Sequence, residues 1–200
     1  MSAFLGPIHY FLYSKIEFQN NLCEYLLEKA ELKSPGFSKE INDNIKNIPV
    51  GELEDIVDLS NIHGSLQSMI YDVENRLVFI VEMIEKNSIY SFDEILEFAR
   101  EYGRKIEVEE GINAMDAYTL LSSKLLNGMP CDRVQEILDK DDDFIVWRDR
   151  MDIHEDFWKN LGRNSRDFYE IRKNIIIGIL EKTDLTFDEE SDYQYSIRRK

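Results

Sequence analysis

Apolar residues recur at intervals of three and four along most of this 200-residue chain, which is the spacing of amphipathic helices. The first long helix is predicted to run from Pro7, a residue that suits the first helical turn, to the stop signal Ser34-Pro35-Gly36. Its inward-facing positions are His9, Leu12, Ile16, Gln19, Cys23, Leu26 and Ala30. The second is predicted over residues 52–86, with inward-facing positions Leu59, His63, Leu66, Ile70, Val73, Leu77, Ile80 and Ile84.

Cap signals and turn residues divide the rest of the chain into further helices. Residues 37–50 indicate a short crossover helix ended by Pro49, and a capping box at Ser91 and Glu94 opens a third helix that ends near Gly103. Other helices are predicted over 113–126, from Pro130 to the acidic run 139–143, and over 166–182. Between the last two, one more helix is predicted from the spacing of Phe144, Trp147, Met151, His154, Trp158 and Leu161.

Together these patterns predict a mainly all-α fold, an antiparallel helical bundle of about four long and two or three short helices. Residues 185–200 alternate around a polar turn, a pattern compatible with a small β-hairpin. We therefore expect a helical bundle domain over residues 1–184, followed by a C-terminal hairpin or tail over residues 185–200.

The charge of the chain narrows the classes of partner. Asp and Glu number 40 against 24 Lys and Arg, which gives a formal net charge of −16. This negative field repels nucleic-acid phosphates and anionic lipid headgroups, so neither nucleic acid nor a membrane is expected as a partner. The two cysteines, Cys23 and Cys131, lie far apart in the sequence, and no apolar run nears the ~20 residues that span a bilayer. A reducing, cytoplasmic location fits both observations.

All three histidines fall on stripes that are predicted to face the core. Imidazole is the commonest metal ligand, and bundle cores hold metal and cofactor sites between facing helices. His154, His63 and His9 are therefore the candidate ligands of a divalent metal ion or a haem, although each also suits an ordinary buried histidine with a hydrogen-bond partner. A simple antiparallel pairing would place His63 level with residues 19–23 and away from His9, so convergence of the three depends on the helix offset.

Two tryptophans and one arginine are the further candidates for ligand binding. Trp147 and Trp158 flank His154 on its predicted stripe, and a flat aromatic wall suits a planar ligand such as a haem or a nucleobase-like ring. Filling of a wide core is the alternative role for both rings. Arg172 interrupts an apolar stripe, where a guanidinium needs either a carboxylate partner or the anionic group of a ligand.

Two hypotheses of function follow. The first is a helical-bundle protein that binds a metal ion, haem or small ligand through interior histidines; if it is an enzyme, a histidine ligates the metal or acts as general base. The alternative is a non-catalytic, acidic interaction or regulatory protein that binds a basic protein partner or forms a homodimer. The chain contains no phosphate-binding glycine loop, no serine nucleophile elbow and no EF-hand motif, so the sequence indicates no particular reaction.

Overall fold

The computed structural model describes residues 4–200. All elements of regular secondary structure between residues 4 and 125 are helices. They are α1 (Pro7–Lys33), α2 (Phe37–Asn44), α3 (Leu53–Ile56), α4 (Ile62–Lys86), α5 (Phe92–Gly103) and α6 (Ala114–Lys124). The remainder mixes strands and helices: β1 (Gln135–Lys140), β2 (Phe144–Asp149), α7 (Glu155–Lys159), α8 (Arg166–Leu180), β3 (Leu185–Ser191) and β4 (Gln194–Arg199).

Helices α1 and α5 form where their local signals predict them. Helix α1 ends at the Ser34-Pro35-Gly36 stop, and every residue of its predicted inward stripe is buried. Helix α5 begins with the predicted capping box: Ser91 Oγ accepts a hydrogen bond from the Glu94 N–H (3.3 Å), and the Ser91 N–H donates to Glu94 Oε2 (2.8 Å). The capping box satisfies backbone N–H groups that the start of a helix leaves without an intrahelical partner.

The second long helix is shorter than predicted and runs parallel to the first. It begins at Ile62, because the Asn61 side chain caps it by accepting a hydrogen bond from the Gly64 N–H (3.2 Å). His9 contacts His63, and farther along Glu24 pairs with Arg76, so the residue numbers of α1 and α4 rise together. The antiparallel pairing expected for these two helices is therefore wrong, because α2, α3 and the loops around them carry the chain back before α4 begins.

The predicted all-α bundle is also wrong, because the second part of the chain builds a four-stranded antiparallel sheet in the order β1-β2-β4-β3. The helix predicted from Pro130 is a single 3₁₀ turn at Pro130–Asp132, followed by β1. Where one helix was predicted from Phe144 to Leu161, the chain forms strand β2 first, and only Glu155–Lys159 is helical. Ile145, Trp147 and Asp149 alternate toward the interior, as the two-residue period of a strand requires.

The C-terminal residues do form a hairpin, β3–β4, but its second strand also pairs with β2. Ile145 lies opposite Ile197, and Trp147 lies opposite Tyr195. The sheet therefore joins residues 194–199 to residues 144–149. None of the described helices has the length and apolar character needed to cross a membrane.

Helix α8 is the element that links the helical layer to the sheet. On one side it packs against α5 at very close range, where a Cβ added to Gly103 would lie 2.2 Å from the Ile175 carbonyl oxygen. Toward the sheet, α8 and α6 face the interior residues of the strands, and the Tyr118 ring of α6 lies 5.0 Å from the Trp147 ring of β2. A pocket remains at this junction of helices and sheet.

Candidate functional site

His9 and His63 meet at the N-terminal ends of α1 and α4, where their Nε2 atoms lie 3.4 Å apart. His9 is buried, as predicted. His63 is exposed, so the prediction that it faces the core is wrong. His9 Nδ1 accepts a hydrogen bond from the Gly6 N–H (2.9 Å), which leaves the proton of the neutral ring on Nε2. In this tautomer His9 donates to His63 and has no lone pair free for a metal, so its clear role is to cap α1.

His154 lies in a different cluster, buried between α4 and α8. Its Nδ1 is 3.2 Å from Glu74 Oε2, its Nε2 is 3.4 Å from Asn127 Oδ1, and its ring stacks on Phe168 with 3.6 Å between centroids. Glu74 follows His63 on α4 by about three turns, or about 16 Å along the axis. The structure therefore brings His9 and His63 together and places His154 elsewhere. Within residues 4–200, no group of three or more His, Cys, Asp or Glu side chains is arranged to hold a metal ion.

The two candidate tryptophans are also separated. Trp158 is fully buried in the helical core, with the Phe168 ring 6.3 Å away and the Arg163 guanidinium 5.7 Å from its own ring. Trp147 projects from β2 and lines the pocket at the junction of helices and sheet, together with Arg172 of α8. Of the three residues proposed to bind a ligand, the structure brings two to one cavity.

We call this cavity the helix–sheet pocket; α6, α8 and all four strands contribute to its walls. The cavity has a volume of about 30 Å³ and continues into a mouth that opens to solvent. Its aromatic walls are Tyr118, Trp147, Tyr169, Phe187 and Tyr195. Its polar side chains include Asp149, Arg172, Asn127 and Gln135. An apolar cavity with a few converging polar groups is the common form of a small-molecule site.

Asp149 is the central polar group of the pocket, and its side chain is fully buried. Its Oδ1 accepts hydrogen bonds from Gln135 Nε2 (3.0 Å) and Asn127 Nδ2 (3.4 Å). Its Oδ2 lies 3.6 Å from Arg172 Nη1, which is an ion-pair distance, and accepts no hydrogen bond from residues 4–200. A buried carboxylate oxygen without a donor costs free energy, so this atom marks a position where a donor from outside the chain would be stabilised.

The Tyr195 hydroxyl is the second polar atom of the pocket that lacks a hydrogen-bond partner in the described part of the chain. Burial, and secondarily the charge of Asp149, raises the pKa of this phenol. Burial and the same carboxylate raise the pKa of Tyr118, whose hydroxyl donates to Gln135 Oε1 (3.3 Å). Both hydroxyls therefore stay protonated at neutral pH. The Tyr195 hydroxyl can donate to a ligand or accept from one, whereas the Tyr118 hydroxyl, whose proton is used for Gln135, can accept.

Arg172 has structural partners as well as its place in the pocket. It donates from Nη2 to the Leu126 carbonyl oxygen and forms the ion pair with Asp149. The internal ion pair that the sequence left open is therefore present. Asp149 was missed because the segment 144–161 was interpreted as a helix; its alternation of Ile145, Trp147 and Asp149 is the signal that indicates a strand with a polar residue facing inward. Tyr195 was missed because the predicted hairpin had no partner strand until β2 was recognised.

Comparison of the chain with protein-family models, curated proteins and solved structures gave no match.

Proposed function

We propose that this protein binds a small, neutral, planar molecule in the helix–sheet pocket. The observation that carries the proposal is the pair of buried polar atoms without hydrogen-bond partners, Asp149 Oδ2 and Tyr195 Oη, beside the ring of Trp147. A ring that carries an N–H or O–H group can stack on the aromatic wall and donate to the free carboxylate oxygen.

The charges around the pocket favour a neutral ligand over an ion. Asp149 lies opposite Arg172, and the other two charged lining residues, Lys173 and Glu189, also carry opposite signs. A charged ligand would lose its hydration and find no net countercharge, whereas a neutral ring loses less on entering. A nucleobase-sized heterocycle or an aromatic amide has the required shape and donor group.

The proposed ligand site lies away from the three histidines. None of His9, His63 and His154 lines the helix–sheet pocket, so it offers no imidazole for the iron of a haem. The residues retained from the sequence prediction are Trp147 and Arg172, with Trp147 as stacking surface and Arg172 as the group that holds Asp149 in place.

Titration with aromatic ligands that carry or lack an N–H donor tests the proposal. Benzamide and adenine, which carry N–H donors, are expected to bind the wild-type protein, whereas N,N-dimethylbenzamide, which has none, should bind about tenfold more weakly because Asp149 Oδ2 stays unsatisfied. Isothermal titration calorimetry gives the affinities, and NMR shift changes of the Trp147 indole locate the ligand.

Tyr195→Phe is the informative variant, because it removes a hydroxyl that has no partner and leaves the ring in place. We expect it to fold and to bind the donor ligands several-fold more weakly, on the order of one hydrogen bond. Tyr71→Phe, at an exposed tyrosine of α4, is the control and should bind as wild type. Equal affinity for both amides, or no binding of either donor ligand at millimolar concentration, contradicts the proposal.

A further inference from the structure

A second cavity lies between α1 and α8, on the side of Arg172 away from the sheet. We call it the α1–α8 cavity; its lining includes Gln19, Leu22, Leu77, Leu126, Ile171 and Arg172. The walls are aliphatic or aromatic apart from Gln19 and Arg172. Both of these polar side chains carry N–H donors, and Gln19 alone of the two also carries an acceptor.

Gln19 is buried, with 6% of its surface exposed, and its Nε2 has no hydrogen-bond partner in residues 4–200. An amide N–H in this position loses its hydration without gaining an acceptor, which costs free energy. Arg172 uses its Nη atoms for Leu126 and Asp149, and a guanidinium has five N–H donors in all. The Gln19 amide is therefore a donor in the cavity wall that has no acceptor in the described part of the chain.

Lys15 lies one turn before Gln19 on the same face of α1, outside the residues that line the α1–α8 cavity. It is partly buried, and its Nζ lies 5.1 Å from the centre of the Phe11 ring. Across the described chain no carboxylate lies within ion-pair distance of Lys15, although acidic residues outnumber basic ones. Burial, and then the charge of Arg172, lowers the pKa of the Lys15 ammonium to about 8. Two cations thus lie near each other with no anion to compensate them other than Asp149, which faces the other pocket.

We propose that Gln19, Lys15 and Arg172 bind the carboxylate of a small apolar acid whose hydrocarbon part occupies the α1–α8 cavity. The donor set suits a monoanion with two oxygens, and the walls formed by Leu22, Leu77 and Ile171 suit an aliphatic or aromatic body. A phosphate dianion would leave most of its oxygens against these apolar walls. This site is distinct from the helix–sheet pocket, although Arg172 borders both cavities.

Calorimetric titration with hexanoate at pH 7 tests the carboxylate site, with 1-hexanol as the uncharged probe of the same length and inorganic phosphate as the competing anion. Hexanoate should bind, and 1-hexanol should bind at least about tenfold more weakly, the effect of one charge-assisted hydrogen bond. Equal affinity for acid and alcohol, or binding of phosphate in preference to hexanoate, overturns the proposal.

Gln19→Leu and Lys15→Met are each expected to weaken hexanoate binding about tenfold. Both variants remove a buried or partly buried polar group that lacks a partner, so we expect both to fold, and circular dichroism checks this. The matched controls are Gln67→Leu and Lys39→Met at exposed positions, which should leave the affinity unchanged. Wild-type affinity in Gln19→Leu and Lys15→Met contradicts the assignment of these residues.

The charge of Lys15 gives an independent readout. Since the protonated lysine attracts the carboxylate, hexanoate affinity should fall as the pH rises through about 8. Lys15→Arg keeps its positive charge at these pH values, so this variant should bind hexanoate with little change between pH 7 and pH 9. An equal fall in both proteins would show that Lys15 is not the titrating group and would overturn its part in the site.

Discussion

At the scale of single residues, the buried pair of His154 and Glu74 ties α4 to the segment before α8. Both side chains are almost completely buried, at 1% and 2% exposed, and their closest atoms are 3.2 Å apart. Such a pair contributes little net stability when compared with well-packed apolar side chains, but loss of one partner leaves the other unpaired in the interior.

His154→Leu should therefore lower the free energy of unfolding by about 3–5 kcal/mol, because Glu74 is left buried without its partner. The double variant Glu74→Leu/His154→Leu should be more stable than His154→Leu alone, since no buried polar group remains. Urea unfolding of the wild type, both single variants and the double variant measures the coupling. Additive losses would show that the two side chains act independently.

At the scale of elements, the close crossing of α5 and α8 depends on two glycines. A Cβ on Gly103 would lie 2.2 Å from the Ile175 carbonyl oxygen, and one on Gly178 would lie 2.1 Å from the Arg100 carbonyl oxygen. Both obstacles are backbone atoms, so the substituted helices cannot relieve the overlap by a rotamer change and have to move apart.

Gly178→Ala is expected to lower the free energy of unfolding by about 1–3 kcal/mol, despite the higher helix propensity of alanine. The control is Gly6→Ala, where an added Cβ meets nothing within 4 Å and φ is −111°. Thermal and urea unfolding of the two variants supply the comparison. A Gly178→Ala protein as stable as wild type would mean that the two backbones do not approach this closely.

At the scale of the whole molecule, several buried tyrosines couple folding to alkaline pH. Burial is the leading cause that raises the phenol pKa of Tyr102, Tyr169 and Tyr195, and it also raises the pKa of the Cys23 thiol. In the unfolded chain tyrosine loses its proton near pH 10, whereas the folded protein retains it. The unfolded state then binds fewer protons than the folded state, so stability falls as the pH rises through about 8.5 for the thiol and about 10 for the phenols.

We expect the free energy of unfolding to fall steeply between pH 10 and pH 11, and the tyrosinate absorbance at 295 nm to rise together with the loss of helical circular dichroism. A rise in tyrosinate from all tyrosines while the helical signal stays intact would contradict this coupling. The measurement is made on the wild-type chain and needs no variant.

The net charge of −16 is also a property of the whole molecule. Many arginines are taken up in ion pairs that join distant segments; Arg163 contacts Glu82 and Glu85 of α4, and Arg199 contacts Asp143 and Asp184. This distribution is why the unpaired Lys15 beside Arg172 stands out. The alternative of an acidic interaction protein with a basic partner or a second copy stays a prediction.

The helices whose signals are local could be predicted from the amino-acid sequence. The stop at Ser34-Pro35-Gly36, the capping box at Ser91 and Glu94, and the long apolar stripes act through contacts within a few residues, so α1, α5 and α8 lie where they were predicted. Arg172 and Trp147 were found as candidates for the same reason: each is an unusual residue for its local pattern.

The sheet, the parallel pairing of α1 with α4, and both cavities depend on contacts between residues that are far apart in the chain. The residues of β2 also fit a helical spacing, so their own pattern does not decide between helix and strand. They form a strand because Trp147 pairs with Tyr195 and Ile145 with Ile197, about 50 residues farther along the chain. Gln19, Lys15 and Asp149 became candidates once their neighbours were known, because a polar group without a partner is a property of its surroundings and not of its residue type.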